Sequence, residues 1–177
     1  MSANPPDAHG LTIAPYAPGD EDAIIGLIVP IQNEEFGVAI GAADQPDLRD
    51  IANFYLPGAG GFWVARDGDA VVGTIALKDI GGGDAALRKM FVAADYRGAP
   101  YRLGQVLLDA LLAHARAAGL RRIMLGTTDA FKAAHRFYER NGFVLTDKAD
   151  LPAHFPLMKP DTRFYVLDLN GAATPTR

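Results

Sequence analysis

The sequence predicts one α/β domain, a mixed, mostly antiparallel central sheet with flanking helices. Three observations predict it. The strand-like runs GFWVARD, AVVGTIALKDI and ALRKMFV follow one another across the turn signals DGD and GGGD. From Leu103 onward Leu103, Val106, Leu107, Ala110 and Leu111 fall at helical spacing. Beyond Gly119 strand-like and helix-like stretches alternate again.

In chain order, LTIAPYA (11–17) reads as a strand. GDEDAIIGLIVPIQNEEF (19–36) reads as a helix whose leading acids suit its positive end, with Pro30 expected to kink or divide it. QPDLRDIANFY (45–55) gives a second helix with Pro46 near its first turn. The three central strands come next, then the long helix from Leu103, which Gly119 stops. RRIMLGTT is a buried strand and FKAAHRFYERNG a short helix ended by Asn141-Gly142. FVLTD and, beyond a proline-rich loop, RFYVLDL are the last strands. The domain spans residues 11–169, and residues 1–10 and 170–177 read as flexible termini.

A chain of 177 residues buries roughly 70% of its unfolded surface, enough for one real core. With 49% hydrophobic and 21% charged residues its composition is that of a globular protein. No apolar run reaches the roughly 18 residues of a membrane span, and the first ten residues lack a signal pattern, so no membrane partner and a cytoplasmic location are expected. There is no cysteine, hence no disulfide, thiolate metal site or cysteine nucleophile. The four histidines show no metal-ligand spacing, and no metal is expected. A sequence pI near 5.5 argues against nucleic acid as a partner.

Charge is divided along the chain. Residues 1–55 carry nine acids against Arg49 alone, whereas residues 85–122 carry seven bases against Asp95 and Asp109. That split suits an anionic ligand held mid-chain and a cationic one met near the N-terminal part, and equally suits solvated faces of unequal sign. The turn YRGAPYRLGQVLL leads from a strand into the long helix past Arg97, Gly98 and Gly104. Its backbone N–H groups and the helix's positive end can converge on phosphate oxygens, with Arg97 and Arg102 adding charge. A glycine turn of this kind also serves as a plain tight connection.

From about Leu87 to Phe143 the sequence resembles the GNAT superfamily of N-acetyltransferases. The resemblance is carried, in order, by LRKMFVAADYRG, LGQVLLDALLAHARAAGLRRIMLGT and AAHRFYERNGF. These look like the family's central strand, its acetyl-CoA pyrophosphate loop and helix, and its closing helix. The resemblance implies the GNAT-like acyl-CoA N-acyltransferase fold, acetyl-CoA as acetyl donor, an amine acceptor, and transfer by direct attack on the thioester. It leaves room for a homodimer. In the family the central strand splays from its neighbour at a bulge, so Met90, Phe91 and Val92 are expected to present backbone groups to the pantetheine. Arg97, Gly98, Arg102, Leu103, Gly104 and Gln105 are expected around the pyrophosphate, and Phe131 and Ala134 beside the cofactor on the closing helix.

Two places depart from the family pattern. Aligned on Gly104, Ala99 and Arg102 stand where the family has Gln or Arg and then glycine, so the loop reads as two residues longer with Arg97-Gly98 kept at its start. Phe131 stands where many members carry asparagine.

On the closing helix Phe137 is expected to fill the core while Tyr138 points into the cleft. By the family's layout Tyr138 would donate a hydrogen bond or proton to the departing thiolate. Glu34 and Glu35 are candidates to take the amine's proton, with His154 as another base at the acceptor. Glu34, Glu35, Asp44, Asp47 and Asp50 would draw in a small protonated amine, and Phe36, Phe54 and Tyr55 would hold its apolar part. A competing reading keeps the fold without catalysis, as an acyl-CoA sensor or regulatory module that needs the loop but not Tyr138.

Overall fold

The computed structural model describes residues 10–170. Residues 1–9 and 171–177, which hold nearly all of the expected flexible termini and His9, lie outside the described residues. Seven strands, β1 (Leu11–Pro15), β2 (Gly61–Asp67), β3 (Ala70–Gly81), β4 (Asp84–Val92), β5 (Arg122–Thr127), β6 (Val144–Thr146) and β7 (Arg163–Asp168), form one sheet. Their order is β1-β2-β3-β4-β5-β7-β6. Only β4 and β5 pair in parallel, which requires a long crossover, and α3 (Leu103–Ala117) supplies it. Among the described residues no helix is long and apolar enough to cross a membrane.

Alternation along the strands gives each face its own core. Trp63, Ala65, Ile75 and Leu77 face α3 and α4 (Lys132–Arg140), where Leu103, Leu107, Leu108 and Leu111 are fully buried. Phe62, Val64 and Ala76 face the other way, against Ile24 and Ile28 of α1 (Glu21–Pro30) and Ile51 and Tyr55 of α2 (Ile51–Tyr55). Burying such a Leu or Ile contributes roughly 1.5–3 kcal/mol, so the two helical layers hold the sheet between them.

The N-terminal third departs from the expected elements. The helix expected over 19–36 is α1 followed by a wide π-helical turn, Ile31–Glu35, in which the Phe36 N–H donates to the Ile31 carbonyl. Pro30 has no N–H for the preceding turn, and the chain loosens after it rather than breaking. The helix expected over 45–55 is a 3₁₀ turn, Pro46–Arg49, and the short α2. Asp50, at φ −143° and ψ 45°, separates them.

The feature that shapes the cleft lies in β4. Thr74 pairs with Phe91 and Ala76 with Arg88, so β4 spends one residue more than β3 over that interval. The extra residue is accommodated at Lys89, whose φ is +52°. An L-residue in that region costs about 1–2 kcal/mol, and the Thr74 hydroxyl secures the kink by donating to the Lys89 carbonyl at 2.7 Å. Beyond Ala86–Met124 the β4–β5 pairing ends, and the two strands diverge. The splay expected from the family resemblance is therefore present, and it opens a cleft through the sheet.

Candidate active site

The cleft has two arms that meet at Met90, Phe91, Ala134 and Tyr138 beneath the ring pair Phe36–Phe131. Those two rings stack with centroids 4.1 Å apart, joining the end of the π turn to the start of α4. The larger arm encloses about 940 Å³, in the range of cofactor-sized sites, and the smaller about 290 Å³.

The larger arm is floored by Met90, Phe91 and Val92 of the kinked strand and closed by the turn before α3. In that turn Arg102 takes a left-handed conformation, φ +46°, and its N–H donates to the Gly98 carbonyl at 2.9 Å. The first hydrogen bonds to the Arg102 carbonyl come from Gln105 and Val106, so the N–H groups of Leu103 and Gly104 precede the ladder at the helix's positive end. Gly104 lies over the floor: a Cβ there would stand 3.4 Å from Met90 Cε. Arg97, Gly98, Arg102, Gly104, Gln105, Phe131 and Ala134 all line this arm. Leu103 does not, because its side chain is fully buried under α3.

Arg97 is already engaged. Its guanidinium forks onto both oxygens of Glu35, at 2.6 and 2.9 Å, while Nε donates to the Val92 carbonyl at 2.8 Å. The Arg97 hydrogen bonds hold the Glu35 carboxyl below its ordinary range. A carboxylate so stabilised is a weak base, and it lines the larger arm rather than the smaller one. Glu34 is exposed and lines neither arm.

Tyr138 lies at the junction, lining both arms, and is 7% exposed. Phe137, expected in the core, is instead the partly exposed ring of the pair, packed edge-on against Tyr138. The helix instead sets the Tyr138 ring against Phe143 and Tyr165, which bury its apolar body while its hydroxyl reaches the junction. Burial pushes the phenol pKa up, keeping it protonated, and its one hydrogen-bond partner among the described residues is the Met90 sulfur at 3.6 Å. A thioether is a weak acceptor.

The smaller arm lies between the diverging strands, capped by residues 36–45 and 155–161. Its polar lining is Asp44, Gln45, Asp47, Arg88, Lys89, Thr127, Thr128 and Asp161, with Gln32 beside them. The kink places the neighbours Arg88 and Lys89 on the same side of β4: Lys89 Nζ reaches Gln45 at 2.6 Å and Asp47 at 3.5 Å, while Arg88 lies over the Phe54 ring. Asp47 also accepts from Tyr55, which is fully buried and lines neither arm. His154 likewise stays outside: its Nε2 lies 3.2 Å from Asp84, which Arg122 also pairs. Phe36 lines both arms. No group of His, Cys, Asp or Glu among the described residues could hold a metal.

Sequence reasoning missed Asp161, Arg88, Lys89 and Thr128. Asp161 follows Pro160 in the proline-rich loop that offers His154 as its candidate, and Arg88 and Lys89 stand in the sequence only as two of the seven bases of residues 85–122. Only the kink's extra residue turns both side chains to one face, and a single sequence does not display it.

The acetyltransferase (GNAT) family profile matches residues 26–143. A mouse (Mus musculus) protein named Probable N-acetyltransferase family 8 member 5 is 33% identical over 109 residues, 59% of this chain and 47% of its own length. This chain thus spans about half the length of that curated relative. An acetyltransferase of the GNAT family from Staphylococcus aureus Mu50 superposes with a TM-score of 0.84 at 38% identity, over 90% of this chain and 99% of that one. The PaiA N-acetyltransferase of Thermoplasma acidophilum, solved in complex with coenzyme A, shares the fold with a TM-score of 0.67 at 16% identity, over 89% and 98% of the two chains.

Proposed function

The chain belongs to the acetyltransferase (GNAT) family, and we propose that it moves the acetyl group of acetyl-CoA to a primary amine of a small molecule or peptide by direct attack on the thioester. The observation that carries this proposal is the protonated Tyr138 hydroxyl at the junction of the two arms, bonded among the described residues only to a thioether. Acetyl-CoA would fill the larger arm and supply the activated acyl group. The stretch Met90–Val92, where β4 no longer pairs with β5, would pair with its amides along that free edge. Arg97, Arg102 and the start of α3 would meet its phosphates.

The acceptor would enter through the smaller arm with its nitrogen toward the junction. Tyr138 would donate its hydrogen bond to the sulfur as the carbon–sulfur bond breaks. Because a phenol near pKa 10 is a weaker acid than a thiol near 8.5, and burial weakens it further, sharing the proton suffices. Reaction in the cytoplasm fits this chemistry, where acyl-CoA and small amines meet. The experiment is thiol release from acetyl-CoA with a panel of amines, for the wild type and Tyr138→Phe. Loss of turnover with retained acetyl-CoA binding supports the enzyme. Acetyl-CoA binding without turnover of any amine by the wild type supports the sensor.

A further inference from the structure

We propose that the acceptor is an amino acid or other small amine that also carries a carboxylate, held by its ammonium at Asp161 and by its carboxylate at Arg88. This rests on the acetyl-transfer reading above and names its acceptor class.

The charges of the smaller arm, followed pair by pair, lead to it. Lys89 and Asp47 satisfy each other with help from Gln45 and Tyr55. Asp44 accepts from the Gly41 N–H at 2.9 Å, at the edge of the arm. Glu35, which would have added negative charge, is spent on Arg97. Besides Asp44, which is exposed to solvent, two charges remain without an ionic partner among the described residues. Arg88 has no carboxylate within ion-pairing distance among the described residues; its neighbours are the Met158 sulfur at 3.6 Å and the Phe54 ring at 5.5 Å. Those soft groups hold the guanidinium without neutralising it. Asp161 forms no ion pair among the described residues; its carboxyl has one backbone hydrogen bond, with Met158, and packs on the bare backbone of Gly126, where a Cβ would lie 2.3 Å from Oδ2. Glycine on β5 therefore makes room for this carboxylate against the strand that bounds the arm.

Asp161 and Arg88 feel each other's charge but do not pair, and both line the same small cavity. A purely cationic amine would satisfy Asp161 and leave Arg88 facing a like charge. An amine bearing a carboxylate satisfies both, because each end meets an opposite charge in a partly dry site. Thr128 lines the same arm, and its hydroxyl oxygen is buried with no hydrogen-bond partner among the described residues, a further polar group available to a carboxylate. Burial also raises the Asp161 pKa to about 6, so near neutral pH it is a carboxylate able to hold a proton. In the transfer the nitrogen–carbon bond forms and the carbon–sulfur bond breaks with its electron pair passing to sulfur. Of the two protons the ammonium sheds, Asp161 takes one and the departing sulfur carries the other.

The test uses α- and ω-amino acids, each beside its own carboxamide, with the whole protein. Thiol release gives kcat/KM, and calorimetry gives binding to CoA-saturated protein. The acid should be preferred over its amide roughly 10- to 100-fold in both, from charge-assisted hydrogen bonds to Arg88. Arg88→Gln should bring that ratio within about threefold of unity while CoA binding is unchanged, since Arg88 lies outside the larger arm. Asp161→Asn should weaken acid and amide alike. A wild-type ratio near one, a preference that survives Arg88→Gln, or no binding or turnover of any pair overturns the proposal. Arg88-dependent binding without turnover upholds the acceptor class and defeats the acetyl-transfer reading instead. The wild-type comparison needs no variant, so a misfolded Arg88→Gln protein does not blunt it.

Discussion

The Lys89 ammonium stands 3.5 Å from the Asp47 carboxylate, and both side chains are only 8% exposed. Burial draws the Lys89 pKa down, and the Asp47 charge opposes that shift. This pair ties the kink of β4 to the 3₁₀ turn of residues 46–49, and so holds the floor of the smaller arm to its cap. Asp47→Ala, which leaves a buried ammonium without its counter-charge, should cost about 3–5 kcal/mol in urea unfolding. Lys89→Met combined with Asp47→Leu should cost clearly less than Asp47→Ala alone. Equal costs would show that the pair does not secure the kink.

Tyr138→Phe removes a hydroxyl whose only hydrogen-bond partner among the described residues is a thioether, so the fold should lose little, under about 1 kcal/mol. Turnover should fall on the order of 100-fold, with the acetyl-CoA dissociation constant changed less than about threefold. Since burial keeps the phenol protonated, the wild-type rate should show no loss from Tyr138 ionisation below about pH 10. Steady-state kinetics across pH would expose a lower limb.

Arg97 and Arg102 both line the larger arm near the start of α3. Replacing both with Ala should weaken CoA binding roughly 10- to 100-fold and leave phosphate-free pantetheine within about twofold. Calorimetry with the two ligands decides it, and equal losses would mean that neither arginine meets phosphate.

If CoA phosphates meet Arg97 as proposed, Glu35, which already pairs with it, would compete with them, whereas Glu34 is exposed and outside both arms. Glu35→Gln should therefore tighten CoA binding roughly 2- to 10-fold by freeing the guanidinium and removing a repelling charge. Glu34→Gln should change neither CoA binding nor amine kcat/KM. A large fall in kcat for either variant, with CoA binding intact, would return these acids to the role of base.

Asp161 binds its proton more tightly in the folded chain, with a pKa near 6, than in the unfolded chain, where about 3.9 is usual. Its contribution to stability is present below about pH 4 and is lost as pH rises through 6. Discounted for its partial exposure, the loss should be about 1–2 kcal/mol. Asp161→Asn should thus be more stable than the wild type at pH 7.5 but not at pH 4, by urea unfolding. The same ionisation should make amine kcat/KM fall below about pH 6 in the wild type and not in Asp161→Asn. Parallel profiles for the two proteins would remove Asp161 from both roles.

What the sequence determined by itself is local or periodic. The apolar spacing from Leu103 fixes one face of α3, the Gly-rich turns delimit β2, β3 and β4, and Asn141-Gly142 ends α4, because each depends on neighbours a few residues apart. Ten of the eleven residues expected around the cofactor line the larger arm for the same reason: they lie on one continuous strand–loop–helix passage and on α4. The acceptor side was not legible in this way. Its helices shrink to turns because Gln45 and Asp47 are drawn inward to Lys89, a partner more than forty residues away. Whether Phe137 or Tyr138 faces the core depends on Phe143 and Tyr165, and whether Arg88 and Lys89 share a face depends on one extra residue paired against β3. Those choices are made by long-range pairing and burial, which set side-chain direction without leaving a period in the chain, and so only the tertiary structure decided them.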